Sequence, residues 1–362
     1  MATEVKERSV PKPVFTDAEA GAKEFPSWQS RSYNYFTPRK RRATVYEDVT
    51  VDVQPDPARH LSQGWVYEFA DGVGGYPLQW TALKSSNWHE FLDPNEEWEQ
   101  TIYRNNANVV RQIQQNIEHG RLAHAYAGFD PAWIRVLERH VFAWAHAEHG
   151  IGLHVYTPAQ RDAPTNMINN AMAVGAVHKL RFAQDLILYN LALSEEIDGF
   201  DGSIHRRTWQ EDPIWQPTRE FVERLTGTRD WAEQWFATSV VFEPLLGELF
   251  RSGFVMQVAA LHGDFVTPTI MGAGESDAAR EQRGARVLFR MLTDDPAHGD
   301  ENRTLLRGWL ASWNEAAEHA ARTLQPIWSQ ISEKVVRFED SLERSQQRQR
   351  ALLEDIGLEA NA

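Results

Sequence analysis

Residues 167–196 narrow the possible folds more than any other stretch. Met167, Ala171, Val174, Leu180, Leu186, Ile187 and Leu191 recur at helical spacing, with no proline or turn signal before about Glu196. A helix of this length that is apolar on nearly every side belongs inside a bundle, not on a surface. Arg181 and Asp185, four residues apart, share one face, and pairing makes their burial tolerable.

The same periodicity runs through the chain from residue 96. Asp93-Pro94 and Asp130-Pro131 each place a carboxylate cap before a first-turn proline. The first predicts a helix over 96–119 carrying Trp98, Ile102, Val109, Val110, Ile113 and Ile117. The second opens a helix through Trp133, Ile134, Leu137, Val141, Phe142 and Trp144 to about Gly150. Thr157-Pro158-Ala159-Gln160 has the form of a capping box, and the helix it announces starts late because Pro164 intervenes. After the break at Asp198-Gly199-Phe200-Asp201-Gly202, helices are expected at roughly 218–250, 254–272, 276–293 and 300–338, with Asp300 as a cap. Pro244 and Pro268 are expected to kink or divide theirs. Residues 339–362 read as a polar surface helix with a frayed end. Long apolar helices joined by short turns define an all-α bundle.

The first 95 residues are different. Prolines 11, 13, 26 and 38 interrupt an arm with Phe15, Phe25, Trp28, Tyr33, Tyr35 and Phe36, and Trp65, Tyr67, Trp80 and Trp88 follow in a turn-rich stretch. Aromatics without a regular core of their own are enriched where chains meet, although a well-filled core uses them too. Phe15, Trp28, Tyr33, Tyr35, Phe36, Trp65, Tyr67, Trp80 and Trp88 are therefore the candidate partner-interface residues. Between the two aromatic stretches, Val45, Val49, Val51 and Val53 alternate with polar residues and Tyr46, which predicts a short strand or extended segment. The organisation expected is an extended arm and irregular segment over 1–95, a helical domain over 96–338 and a polar tail over 339–362.

Charge and cysteine usage exclude several functions. With 37 Lys and Arg against 51 Asp and Glu, the net charge is -14, which disfavours nucleic acid or an anionic membrane as partner. Arg39-Lys40-Arg41-Arg42 then reads as a solvated or carboxylate-pairing cluster. There is no cysteine, so thiolate catalysis, Cys-ligated zinc and iron–sulfur clusters are out. No apolar leader and no run of about 18 apolar residues occurs, so a cytoplasmic protein is expected.

A helical bundle invites a test for a buried metal pair, whose mark is Glu-x-x-His on two helices. None of the 13 histidines has glutamate three residues before it. His146, Glu148 and His149 offer a conceivable mononuclear site beside the plainer reading of a solvated or hydrogen-bonded pair. His178 reads as a satisfied core histidine, and His262-Gly263-Asp264 and Glu195-Glu196 as turn or helix-end groups. Asp294-Asp295 lacks the later acidic residue of a diphosphate motif, and Gly72-Val73-Gly74-Gly75 lacks a strand–helix setting. No catalytic, cofactor-binding or metal residue is assigned to this chain.

Three segments carry a family resemblance: Phe36-Thr-Pro-Arg-Lys-Arg-Arg-Ala-Thr-Val-Tyr-Glu-Asp-Val, Gln79-Trp80 with Asn87-Trp88-His89-Glu90-Phe91-Leu92-Asp93-Pro94, and Tyr103-Arg104-Asn105. They resemble hydroxylase small (beta) subunits of the soluble bacterial multicomponent di-iron monooxygenases, which include methane, toluene, phenol, propane and tetrahydrofuran enzymes. The resemblance implies a ferritin-like fold without metal ligands. It also implies a larger alpha subunit that carries the di-iron centre, in an alpha2beta2-type complex. A reductase bearing FAD and an iron–sulfur cluster would deliver electrons from NADH, and a coupling protein would complete the system. The expected reaction is hydroxylation of a small alkane, with phenol and acetone as further candidates. Two other readings stay open: an autonomous di-iron oxidase with atypical ligands, and a helical adaptor unrelated to oxygenases.

Overall fold

The computed structural model describes residues 43–51 and 80–358. Every regular element among them is helical. Four long rods make the core. The first, α2, spans residues 131–162 and alternates α-helical Pro131–Val136, Trp144–Ile151 and Thr157–Asp162 with π-helical Leu137–Val141 and Gly152–Tyr156. The second is α3, Asn166–Glu196. The third, α6, spans residues 231–258 and is mostly π-helical, over Ala237–Glu248 and Arg251–Val255. The fourth is α7, Val266–Thr293. α1 (Glu99–Leu122) packs against α3 and α7, α5 (Gln216–Gly227) against α2, and α8 (Gly299–Thr323) and α9 (Phe338–Asp355) against α6. The short α4 is Ile204–Glu211.

The caps explain the boundaries. Asp130 accepts from the amides of Ala132 and Trp133 and starts α2 as expected. Thr157, by contrast, caps nothing: α2 runs through it, and its hydroxyl donates back to the Gly152 carbonyl. The true cap of α3 is Thr165, which follows Pro164 and accepts from the Ile168 amide. Asp93 caps only a turn, through the Asn95 amide, and α1 waits until Glu99.

Residues 45–51 are helical, not extended. Thr44 and Glu47 form a reciprocal capping box, each side chain accepting from the other's amide. This box starts a π turn over Glu47–Val51 that lays Tyr46 and Thr50 into buried positions. The valine alternation was outvoted by the cap and by burial of Tyr46, whose hydroxyl accepts from the Asp93 amide.

Neither proline divides its helix. Pro268 sits in the first turn of α7, where a missing amide costs nothing, so α7 runs unbroken across 272–276. Pro244 lies inside the π-helical stretch of α6. The carbonyl of Val240, four residues before it, is taken up by Gln349 Nε2 of α9 at 3.2 Å. That bond ties α9 into the body, and its Ser341, Leu342, Ser345, Leu352 and Leu353 are buried. Asp300 lies in the first turn of α8 but is not its cap, which falls at His298.

Candidate functional site: a buried ion network at the bundle centre

Each of the four core rods sends charge inward. α2 contributes Glu148, α3 contributes Lys179, α6 contributes Glu243 and Arg251, and α7 contributes Glu281, all buried. Lys179 Nζ lies 3.0 Å from Glu148 Oε2, pairs closely with Glu243, and is 4.0 Å from Glu281 Oε2. Arg251 reaches Glu148 Oε1 at 3.1 Å, Glu243 Oε2 at 2.5 Å and, toward the rim, Glu275 Oε1 at 2.9 Å. Trp144 Nε1 donates to Glu148 Oε1 at 2.7 Å, and Tyr156 donates to Glu281 Oε2 at 3.4 Å.

Local geometry builds the cluster. Glu243, Gly247 and Arg251 recur at four-residue spacing, and a Cβ on Gly247 would stand 2.7 Å from both Glu243 Oε2 and Arg251 Nη1. Only glycine leaves the guanidinium room to lie over its carboxylate.

The electrostatics sort the carboxylates. Burial pushes Glu243 up, but Arg251 and Lys179 outweigh it and hold the group down at about 2. Burial pulls Lys179 down, yet Glu148, Glu243 and Glu281 reverse this and leave it well above its usual range. Arg251 is raised in the same way by Glu243, Glu275 and Glu148 against the pull of burial. Glu281, where burial prevails over Lys179, is raised to about 8 and is thus protonated at neutral pH.

A second network adjoins the first. Arg181 pairs with Asp185, as the spacing predicts, and with Asp277 of α7. Arg280 Nη1 meets Asp277 Oδ1 at 2.6 Å. His178 Nε2 lies 3.7 Å from Glu97 Oε2 and 3.8 Å from Asp277 Oδ1. Burial lowers its pKa to about 4, so it is a neutral core histidine.

These residues do not fit a di-iron cluster. Among the described residues, no group of three or more His, Asp or Glu side chains is disposed to hold a metal ion. The residues three positions after Glu148, Glu243 and Glu281 are Ile151, Leu246 and Gly284, where a metal pair needs imidazoles. An ammonium and a guanidinium stand between the carboxylates, neutralising the charge that metal ions neutralise in such bundles.

The remaining sequence candidates fall elsewhere. Glu148 turns into the core, whereas His146 Nε2 meets His205 Nδ1 at 3.0 Å and His149 faces His154. His146 and Glu148 thus serve different neighbours. Asp264 accepts from the Val266 and Thr267 amides at the start of α7 and from Trp133 Nε1 at 3.0 Å. Glu195 and Glu196 bind Arg121, and Asp295 accepts from Ser86. Trp88 is buried in this chain's own core, edge-on to Trp231 at 5.7 Å, and Trp80 is half-buried beside it. Trp88's ring is therefore spent inside the chain. Phe15, Trp28, Tyr33, Tyr35, Phe36, Trp65 and Tyr67 lie outside the described residues, as do the Arg39–Arg42 run and the 72–75 glycine turn. Sequence reasoning missed Lys179, Glu243, Arg251 and Glu281. Their signal was a charged residue at a helix position where the periodicity requires an apolar one.

The described helices form an all-α, ferritin-like bundle. The family model for methane/phenol/alkene hydroxylases matches residues 65–296, and the chain belongs to that family, on its hydroxylase small (beta) subunit branch. The propane 2-monooxygenase hydroxylase component small subunit of Mycolicibacterium goodii is 58% identical, over 98% of this chain and 96% of that protein. The methane monooxygenase component A beta chain of Methylococcus capsulatus is 26% identical, over 82% of this chain and 78% of its own. Among solved structures, phenol hydroxylase from Pseudomonas sp. OX1 shares the fold with a TM-score of 0.75 at 17% identity, covering 89% of this chain and 93% of that one.

Proposed function

We propose that this chain is the non-catalytic small subunit of a propane 2-monooxygenase-like hydroxylase, holding a larger alpha subunit that performs the chemistry. The observation that carries the reading is the bundle centre, where Lys179 and Arg251 occupy the space between buried carboxylates. Redox chemistry on O2 then belongs to the di-iron centre of the alpha subunit, fed with electrons from NADH through the reductase and coupling protein, with a small alkane as substrate. Relatives that are the small subunit or beta chain of a hydroxylase component support the partner.

A surface feature supports it too. Along α3, Ala173, Val177, Leu180, Gln184, Ile187, Leu188 and Leu191 form one outward stripe, half-buried at first and then exposed, with exposed Leu153 also on α2. A helix apolar all round is normally enclosed, and this one is enclosed on every side but one. A larger chain covering that stripe, with the arm aromatics Phe15, Trp28, Tyr33, Tyr35, Phe36, Trp65 and Tyr67 reaching across it, completes the burial in an alpha2beta2-type assembly. No described helix is long and apolar enough to cross a membrane, and the assembly is proposed for the cytoplasm.

Co-expression with the larger chain, followed by sizing and iron analysis, tests the reading. The expected result is a stable complex whose iron follows the larger chain. About two irons on this chain alone would overturn it.

A further inference from the structure

The open side of α3 follows a heptad. Ala173, Val177, Leu180, Gln184, Ile187 and Leu191 are spaced by four, three, four, three and four residues, and each is half-buried or exposed. Between Ala173 and Leu191 every other residue of the helix except Leu188 is buried in this chain's own core. A stripe confined to alternating three- and four-residue steps is the narrow seam that a single facing helix fills, whereas a helix lying on a broad core shows a wider one. This seam runs for about 27 Å along the helix. On one side α2 comes so close at Gly152 that a Cβ there would meet Leu180 Cγ at 3.0 Å, and the exposed Leu153 follows it.

We propose that one long α-helix of the larger subunit lies lengthwise in this seam, packed knobs-into-holes in the left-handed sense. It is apolar where it faces Val177, Leu180, Ile187 and Leu191, and polar where it faces Gln184. The inference rests on the two-subunit reading above and names the element that makes the contact. An extended arm or a loop fits worse. Its amides and carbonyls would be buried against side chains that offer no polar partner except Gln184, whereas a helix satisfies its own backbone. Gln184 stands near the middle of the seam. A single polar residue at such a position fixes the register, because a partner helix shifted along the seam would set an apolar side chain against it.

The chain has no cysteine, so single cysteines can report on the seam one position at a time. Val177→Cys, Leu180→Cys, Gln184→Cys, Ile187→Cys and Leu191→Cys are each labelled with a maleimide, in the full small chain alone and in the co-expressed complex. The expected result is that the complex slows labelling at all five positions by about tenfold or more, since the core of a close-packed interface excludes solvent. A stable complex whose seam labels as in the free chain, or is protected over a single turn only, overturns the inference and leaves the two-subunit reading standing. Absence of any complex overturns that reading and the inference with it. Gln184→Leu reads the register: it strands the polar group facing it, so affinity for the larger chain should fall about tenfold. Unchanged or raised affinity refutes the polar match at the seam's centre.

Discussion

Lys179 of α3 and Glu243 of α6 form an ion pair buried almost completely inside the bundle, with side-chain exposures of 4% and 0%. Breaking such a pair leaves a charge without compensation and costs about 3–5 kcal/mol, whereas replacing both partners by apolar groups is often neutral. Lys179→Met strands Glu148 and Glu243 together, so its loss should lie at the upper end. Lys179→Met combined with Glu243→Leu should be markedly less destabilised than the sum of the single changes. A double-mutant cycle by chemical denaturation measures this. Additive losses would show that the two residues act independently.

Gly247 leaves the Arg251 guanidinium room over Glu243. Gly247→Ala drives a methyl to within 2.7 Å of both groups. The usual helix-stabilising effect of alanine should be reversed, with a net loss of about 1–3 kcal/mol. Gly308→Ala on α8, where nothing stands within 4 Å of the added carbon, is the control and should be neutral or stabilising. Thermal unfolding of both variants checks the contrast.

Stability should peak near pH 6.5. His140 and His178 are each lowered to about 4, chiefly by burial, so both remain neutral in the fold while an unfolded histidine charges near 6.5. Their contribution, about 3 kcal/mol each at most, is present above 6.5 and lost as pH falls through 4. Glu281 acts oppositely. Raised to about 8, chiefly by burial, it contributes stability that is full below the unfolded value of 4.5 and lost as pH rises through 8. Lys179, Glu148, Glu243, Tyr156, Asp277 and His178 surround it from the other core rods and its own helix, and only Lys179 opposes its proton strongly. His146 is lowered to about 4 as well, chiefly by burial, while burial raises Asp185 to about 6 and Glu248 to about 7, so below pH 6 the opposing groups nearly balance. Above 6.5 the histidines no longer titrate, Glu248 and Glu281 lose their protons in the fold, and stability falls toward pH 8. Glu281→Gln should shallow the upper fall and steepen the rise below 6.5. Tm measured across pH 4–9 decides it.

Much of this architecture was legible in the sequence, because periodicity reports burial and burial dictates helices. The 31-residue α3 and the Asp130 cap follow from local pattern alone. The misreadings share a cause. At 45–51 a valine alternation implied a strand, but the Thr44–Glu47 capping box and the seat for Tyr46 lie beyond what side-chain period encodes. At Pro244 the expected break became a π stretch, and the Val240 carbonyl within it meets Gln349, more than a hundred residues later. The ion network was illegible for the same reason. Glu148, Lys179, Glu243, Arg251 and Glu281 come from four separate rods, and only their meeting turns isolated charges into a balanced centre. Failure to find Glu-x-x-His carried information about chemistry, but it named nothing that stands at the centre.

The open stripe of α3 yields the sharpest test of the proposed assembly. Leu188 and Leu191 are 42% and 54% exposed, so a charge at either position meets solvent in the isolated chain and should change its stability by no more than about 0.5 kcal/mol. At an apolar interface with a larger subunit the same charge is desolvated without a partner. Leu188→Glu with Leu191→Glu should therefore leave helicity and Tm of this chain unchanged while lowering its affinity for the larger chain by at least tenfold. Pull-down of the co-expressed pair, with circular dichroism of the small chain as the folding control, reads both quantities. Wild-type association with the stripe doubly charged would place the contact on another face. A paired loss of folding and association would instead show that the stripe supports this chain's own core.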